Sequence, residues 1–121
     1  MRVGIIGSRH YADLGGVEAY VATLPQDSSL VTGSASGVDA AATRAARGRG
    51  LPVKVVAASF EEARDAAAAA ARNQRLVDQC DVLVAFWDGV SEGTRRTVER
   101  ALDSGKEVHV FVSGPPHRLG V

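Results

Sequence analysis

The stretch LVTGSASGVDAAATRAARGRGLPVKVV, residues 30–56, holds all the parts of a strand–helix–strand unit. Leu30–Thr32 and Val53–Val56 are short apolar, β-branched runs. They are nearly continuous rather than alternating, as parallel strands covered on both faces are. Between them Val38, Ala41, Ala42 and Ala45 recur at i, i+3, i+4, i+7 spacing, which predicts an amphipathic helix. Gly48 or Gly50 can end that helix before Pro52. The loop TGSASG between strand and helix is made of small residues, so it is either an ordinary turn or a cradle for a group that approaches the backbone closely.

The unit recurs along the chain. Further strands are predicted at Arg2–Ile6, Asp81–Phe86 and Glu107–Val112. Val17, Tyr20, Val21 and Leu24 predict a first helix, Phe60–Gln79 with its alanine run at 66–71 a third, and Val98, Ala101 and Leu102 a fourth that Gly105 stops. Strand and helix alternating in this way predict an α/β fold with a five-stranded parallel sheet and helices on both faces. The domain is expected over residues 1–112, with 113–121, SGPPHRLGV, as an irregular tail.

Composition narrows the function. A chain of 121 residues is expected to be one domain and can bury about two-thirds of its unfolded surface, so it needs neither disulfide nor metal to fold. Formal net charge is zero and aromatics make up 5% of residues, which makes nucleic acid an unfavoured partner. The single cysteine, Cys80, excludes an intramolecular disulfide and reads as a packed small residue. His10, His109 and His117 are too scattered to indicate a metal site. The opening MRVGIIG is too short for a signal peptide and no segment is long enough to span a bilayer, so the expectation is a cytoplasmic protein with no membrane partner.

In an open α/β sheet, ligands bind beyond the carboxyl ends of the strands. The loops there are GSRHY (7–11), TGSASGVD (32–39) and WDGVSEGT (87–94), all rich in glycine and hydroxyl residues. The last two run straight into helices, whose N-terminal N–H groups attract phosphate. Candidate ligand-binding residues are therefore Gly7, Ser8 and Arg9; Gly33, Ser34, Ala35, Gly37 and Asp39; and Asp88, Ser91, Gly93 and Thr94. Arg9 can pair with an anion or be solvated. Asp39 can meet a ribose hydroxyl or complement the helix dipole, and Ser91 can cap the fourth helix. Arg44, Arg47 and Arg49 read as a solvated helix face.

These three motifs, with RNQRLVDQCD at 72–81, resemble the SLOG superfamily of Rossmann-like proteins, and most nearly its small stand-alone YspA-like (cpYpsA-related) group. The resemblance reaches to about Val112. It implies a Rossmann-like doubly wound sheet, a pocket for a nucleotide or nucleotide-derived small molecule, no cofactor, and a homodimer through the helices. Relatives include LOG phosphoribohydrolases, which release a base from a nucleoside monophosphate, and DNA-processing protein A, which binds single-stranded DNA. In the LOG pattern an arginine stands nine residues before the aspartate opening the fourth strand; Arg72 stands nine before Asp81, with Asn73 beside it as a further ligand-binding candidate. The LOG motif PGGxGTxxE aligns its GT with Gly93–Thr94, while Trp87 takes the proline position and the loop is two residues longer. The catalytic glutamate position is Thr97, which is neutral and cannot act as a carboxylate. Glu92 and Glu99 are the displaced carboxylates that, with Arg72, form the catalytic candidates.

Overall fold

A computed structural model describes residues 1–34, 36–57 and 65–112. Chain order is β1 (Arg2–Gly7), α1 (Leu14–Ala22), β2 (Ser29–Thr32), α2 (Val38–Gly48), β3 (Val53–Val55), α3 (Ala66–Asp78), β4 (Val82–Trp87), α4 (Glu92–Asp103) and β5 (Glu107–Val112). All pairings are parallel, in the order β3-β2-β1-β4-β5. The expected fold class is therefore observed. The chain moves outward from β1 to β2 and β3, then crosses back to β4. This puts the switch point between the carboxyl ends of β1 and β4.

Alternation along the central strands divides the core. Val3 and Ile5 of β1, with Val82, Val84 and Phe86 of β4, pack with α1 and α2 on one face. Ile6, Leu83 and Ala85 pack with Leu76, Val77 and Ala101 of α3 and α4 on the other. Each such Val, Leu or Ile contributes about 1.5–3 kcal/mol when fully buried. Gly4 lets the second layer approach: a Cβ there would lie 2.9 Å from Cys80 Sγ. Burial pushes the Cys80 thiol up from its ordinary range, and its Sγ donates to Val77 O, so the side chain is an inert packing residue.

Helix ends follow local chemistry. Asp13 caps α1 by accepting the Gly16 N–H, and Asp65 caps α3 by accepting that of Ala67. Gly50 (φ +74°) and Gly105 (φ +74°) end α2 and α4 as the sequence predicted. Arg49 departs from the solvated face assigned to it. Its guanidinium donates to Val21 O at 2.8 Å, Leu24 O at 2.7 Å and Gln26 Oε1 at 3.1 Å, closing the carboxyl end of α1.

β5 also departs from expectation. Its apolar run was read as covered on both faces, but it is one of the two edge strands, and Val110, Phe111 and Val112 are exposed. The third helix begins at Ala66 rather than Phe60; residues 58–64 and the expected tail, 113–121, lie outside the described residues. No helix among the described residues is long and apolar enough to cross a membrane.

Candidate functional site

A cavity of about 450 Å³ opens at the β1–β4 switch point. Gly7 lines it from the last position of β1, Arg9 and His10 from the loop that follows, and Asp39 from the first turn of α2. Arg72 and Asn73 come from the middle of α3, and Ser91, Gly93, Thr94 and Thr97 from the start of α4. Ile6 of β1 also lines it.

The first loop is built for close approach of protein to protein. A Cβ on Gly7 would lie 2.4–2.6 Å from three carbons of Val38, so only glycine allows α2 to begin where it does. Ser8 is fully buried behind the cavity wall rather than on it. Its N–H donates to Phe86 O at 2.9 Å, and its Oγ accepts the Asp88 N–H at 3.0 Å. The same Oγ pairs with Thr94 Oγ1 at 3.3 Å, and Thr94 Oγ1 with Ser91 Oγ at 3.3 Å. These hydroxyls fasten the loop after β1 to the start of α4.

The loop after β2 contributes less than its composition promised. Ser34 is exposed and, with Gly33 and Gly37, is not on the cavity wall; Ala35 lies outside the described residues. Gly37 precedes α2 at φ +81°, a conformation L side chains rarely adopt, and a Cβ there would lie 3.0 Å from Arg9 O. Gly33 is overlain by the two charged side chains of the site. A Cβ on it would lie 2.7 Å from Asp39 Oδ2 and 2.9 Å from Arg72 Nη1. Asp39 is buried, as is Arg72 Nε, which has no hydrogen-bond partner among the described residues. The loop thus brings a carboxylate and a guanidinium together at the cavity instead of lining it.

The loop after β4 shapes the opposite wall. Asp88 Oδ1 accepts the N–H groups of Val90 at 2.9 Å and Ser91 at 2.8 Å, and Trp87 Nε1 donates to Ser91 O at 2.9 Å. Burial alone would raise the Asp88 carboxyl, but these N–H donors and Ser8 hold it below the usual carboxylate range. Asp88 is therefore a turn-forming residue set back from the cavity wall. Ser91 occupies the N-cap position of α4, yet no side chain among the described residues caps that end. A Cβ on Gly93 would meet nothing within 4 Å, so the partial positive end of the helix is open to approach.

The structure does not bring Glu92 and Glu99 to the cavity. Both are exposed and clasp Arg95, at 2.6 Å and 3.0 Å, and Arg96 lies 3.9 Å from Glu92. Arg95 holds the Glu92 carboxyl below its ordinary range. Thr97, the position of the LOG glutamate, is buried on the cavity wall and donates from Oγ1 to Gly93 O at 2.9 Å. Asp39 is the carboxylate on the described wall. Of the residues named from sequence, Gly7, Arg9, Asp39, Arg72, Asn73, Ser91, Gly93 and Thr94 line one cavity. Ile6 and His10 were not singled out as ligand-binding; His10 follows Arg9 in the same loop, the one signal that pointed to it.

Neither a family model nor a curated protein matches the sequence. Solved structures do. DNA processing protein A from Streptococcus pneumoniae superposes with a TM-score of 0.78 over 98% of this chain and 52% of its own, at 22% identity. DNA processing protein A from Helicobacter pylori, which binds single-stranded DNA, gives a TM-score of 0.71 over 99% of this chain and 67% of its own, at 18% identity. The chain thus spans about half the length of the first of these proteins. At these identities the likeness is one of fold, a Rossmann-like α/β sheet.

Proposed function

We propose that this chain binds a nucleotide or nucleotide-derived small molecule through its phosphate in the switch-point cavity. The observation that carries the reading is the convergence of Arg9, Arg72 and the uncapped start of α4 on one cavity. Arginine and a helix N-terminus both favour a phosphate, and Arg72 Nε has an N–H still to donate. Binding to the folded state alone raises stability by about 2.7 kcal/mol at a hundredfold excess over Kd. Adenosine monophosphate is therefore expected to raise the melting temperature by several degrees, and Arg72→Ala to remove that shift. No shift with any of the four ribonucleoside monophosphates would overturn the reading. The finer resemblance to the YspA-like group and a homodimer belong to the same proposal. Sedimentation that returns only monomer at high protein concentration would remove the dimer.

Single-stranded DNA is the second reading, favoured by the fold shared with the Helicobacter pylori protein over 99% of this chain. It weakens the expectation that nucleic acid is an unfavoured partner. Zero net charge still gives little broad attraction for a polyanion. If DNA is the ligand, affinity must fall steeply as salt rises, because bound phosphates release counterions. Absence of oligonucleotide binding at low salt would end this reading. Hydrolysis of a nucleoside monophosphate has less support, since Glu92 and Glu99 face solvent and Thr97 stands at the glutamate position. Free adenine released from adenosine monophosphate, and lost in Asp39→Asn, would restore it.

A further inference from the structure

We infer that Ser8 is a positioning residue of the switch-point cavity: it touches no ligand and sets the distance between the two walls that do. The inference rests on the phosphate-binding reading above and extends it to a residue behind the cavity wall. Ser8 is 1% exposed, and its backbone and side chain are tied to different walls. The N–H donates to Phe86 O at 2.9 Å, fastening the loop to β4. The carbonyl accepts the Tyr11 N–H at 3.2 Å and closes the turn Ser8–Tyr11. Both ends of that turn are buried, and Arg9 and His10, exposed between them, are carried onto the cavity.

The side chain works on the opposite wall. Its Oγ accepts the Asp88 N–H at 3.0 Å and pairs with Thr94 Oγ1 at 3.3 Å. Thr94 Oγ1 pairs in turn with Ser91 Oγ at 3.3 Å, and Thr94 and Ser91 both line the cavity. One buried residue thus joins the turn that carries Arg9 to the helix start that carries Ser91 and Thr94. A hydroxyl is suited to this because it donates and accepts at once. Alanine at this position would leave the Asp88 N–H and the Thr94 hydroxyl each short of a partner. A phosphate held from both walls needs them at one fixed separation. If a shift costs it one charge-assisted hydrogen bond, affinity falls roughly 10- to 100-fold. A serine that served folding alone would lower the melting temperature and leave the affinity of the folded protein as it was.

The test is isothermal titration of the intact chain with adenosine monophosphate and with inorganic phosphate, well below the melting transition. Wild type is compared with Ser8→Ala, Thr94→Val and the double variant. Ser8→Ala is expected to weaken both ligands about tenfold or more. The double variant should bind within about threefold of the weaker single variant, because both substitutions break the same link. An affinity of Ser8→Ala within about twofold of wild type would overturn this inference and leave phosphate binding standing, as would losses that multiply in the double variant. If Ser8→Ala does not fold, Ser8→Cys takes its place under the same criteria, since a thiol is a weak hydrogen-bond partner. Wild type that binds neither ligand would overturn both readings.

Discussion

Gly33→Ala separates binding from folding, because of what surrounds that position. Gly33 is not among the glycines with positive φ, so an alanine can adopt its backbone conformation. The added Cβ would lie 2.7 Å from Asp39 Oδ2 and 2.9 Å from Arg72 Nη1. Both atoms are the far ends of flexible side chains and can move by the few tenths of an ångström required. Against that adjustment, alanine lowers the entropy of the unfolded chain, worth about 0.4–1 kcal/mol of stability. The two effects oppose each other, and the melting temperature should change by only a few degrees in either direction. The atoms that move, however, are the ones proposed to hold the ligand. A charge-assisted hydrogen bond contributes about 1.5–3 kcal/mol, so displacing Arg72 from a phosphate should weaken binding roughly tenfold or more. Calorimetric titration of wild type and variant with adenosine monophosphate, beside thermal melts of both, gives the two numbers. An unchanged affinity in a variant with an unchanged melting temperature would refute the placement of the ligand against the Arg72 side chain.

Gly7→Ala should behave in the opposite sense. Its Cβ would strike Val38 Cβ, Cγ1 and Cγ2 at 2.4–2.6 Å, in a core side chain that is fully buried, so overpacking should cost about 1–3 kcal/mol in urea denaturation. Arg49→Ala removes donors from two carbonyls at the end of α1 and should cost about 1–2 kcal/mol, with the affinity for adenosine monophosphate unchanged in titration. Stability should fall as pH drops below the ordinary carboxylate range. Asp88, Asp81 and Glu92 all have folded-state values lowered from the unfolded ones. Their contribution is therefore complete above the unfolded values and is lost as pH falls through the folded ones. Thermal melts between neutral and acid pH read this directly, and Asp88→Ala should flatten the slope. A wild-type melting temperature that rises on acidification would contradict the sign.

The fold was legible because the strands announce themselves by composition. Runs such as VLVAF (82–86) and VGII (3–6) can be buried on both faces only between layers of helix. The exposure of β5 was not legible, since an apolar run looks the same at the centre of a sheet and at its edge. That Arg9, Arg72 and Thr94 line one cavity was legible because each stands beside a strand end or in a recognisable spacing. That Glu92 and Glu99 lie away from the cavity was also legible in their spacing. With Arg95 they fall at i, i+3 and i+7, the spacing of a solvated ion-pair ladder, while Thr94, Thr97 and Ala101 take the buried face.

Glycine carries the sharper lesson. A glycine-rich loop at a strand end shows that something approaches the backbone closely, and it does not show what. At Gly7 the close neighbour is Val38, at Gly37 the carbonyl of Arg9, and at Gly33 the Asp39 and Arg72 side chains. Gly93, unlike these three, has open space where its Cβ would be, and it stands at the start of α4. So the loop TGSASG acts on the cavity indirectly, by omitting a side chain that would push its charged residues apart. The proposed phosphate contact therefore falls at the start of α4, where a Cβ on Gly93 would meet open space.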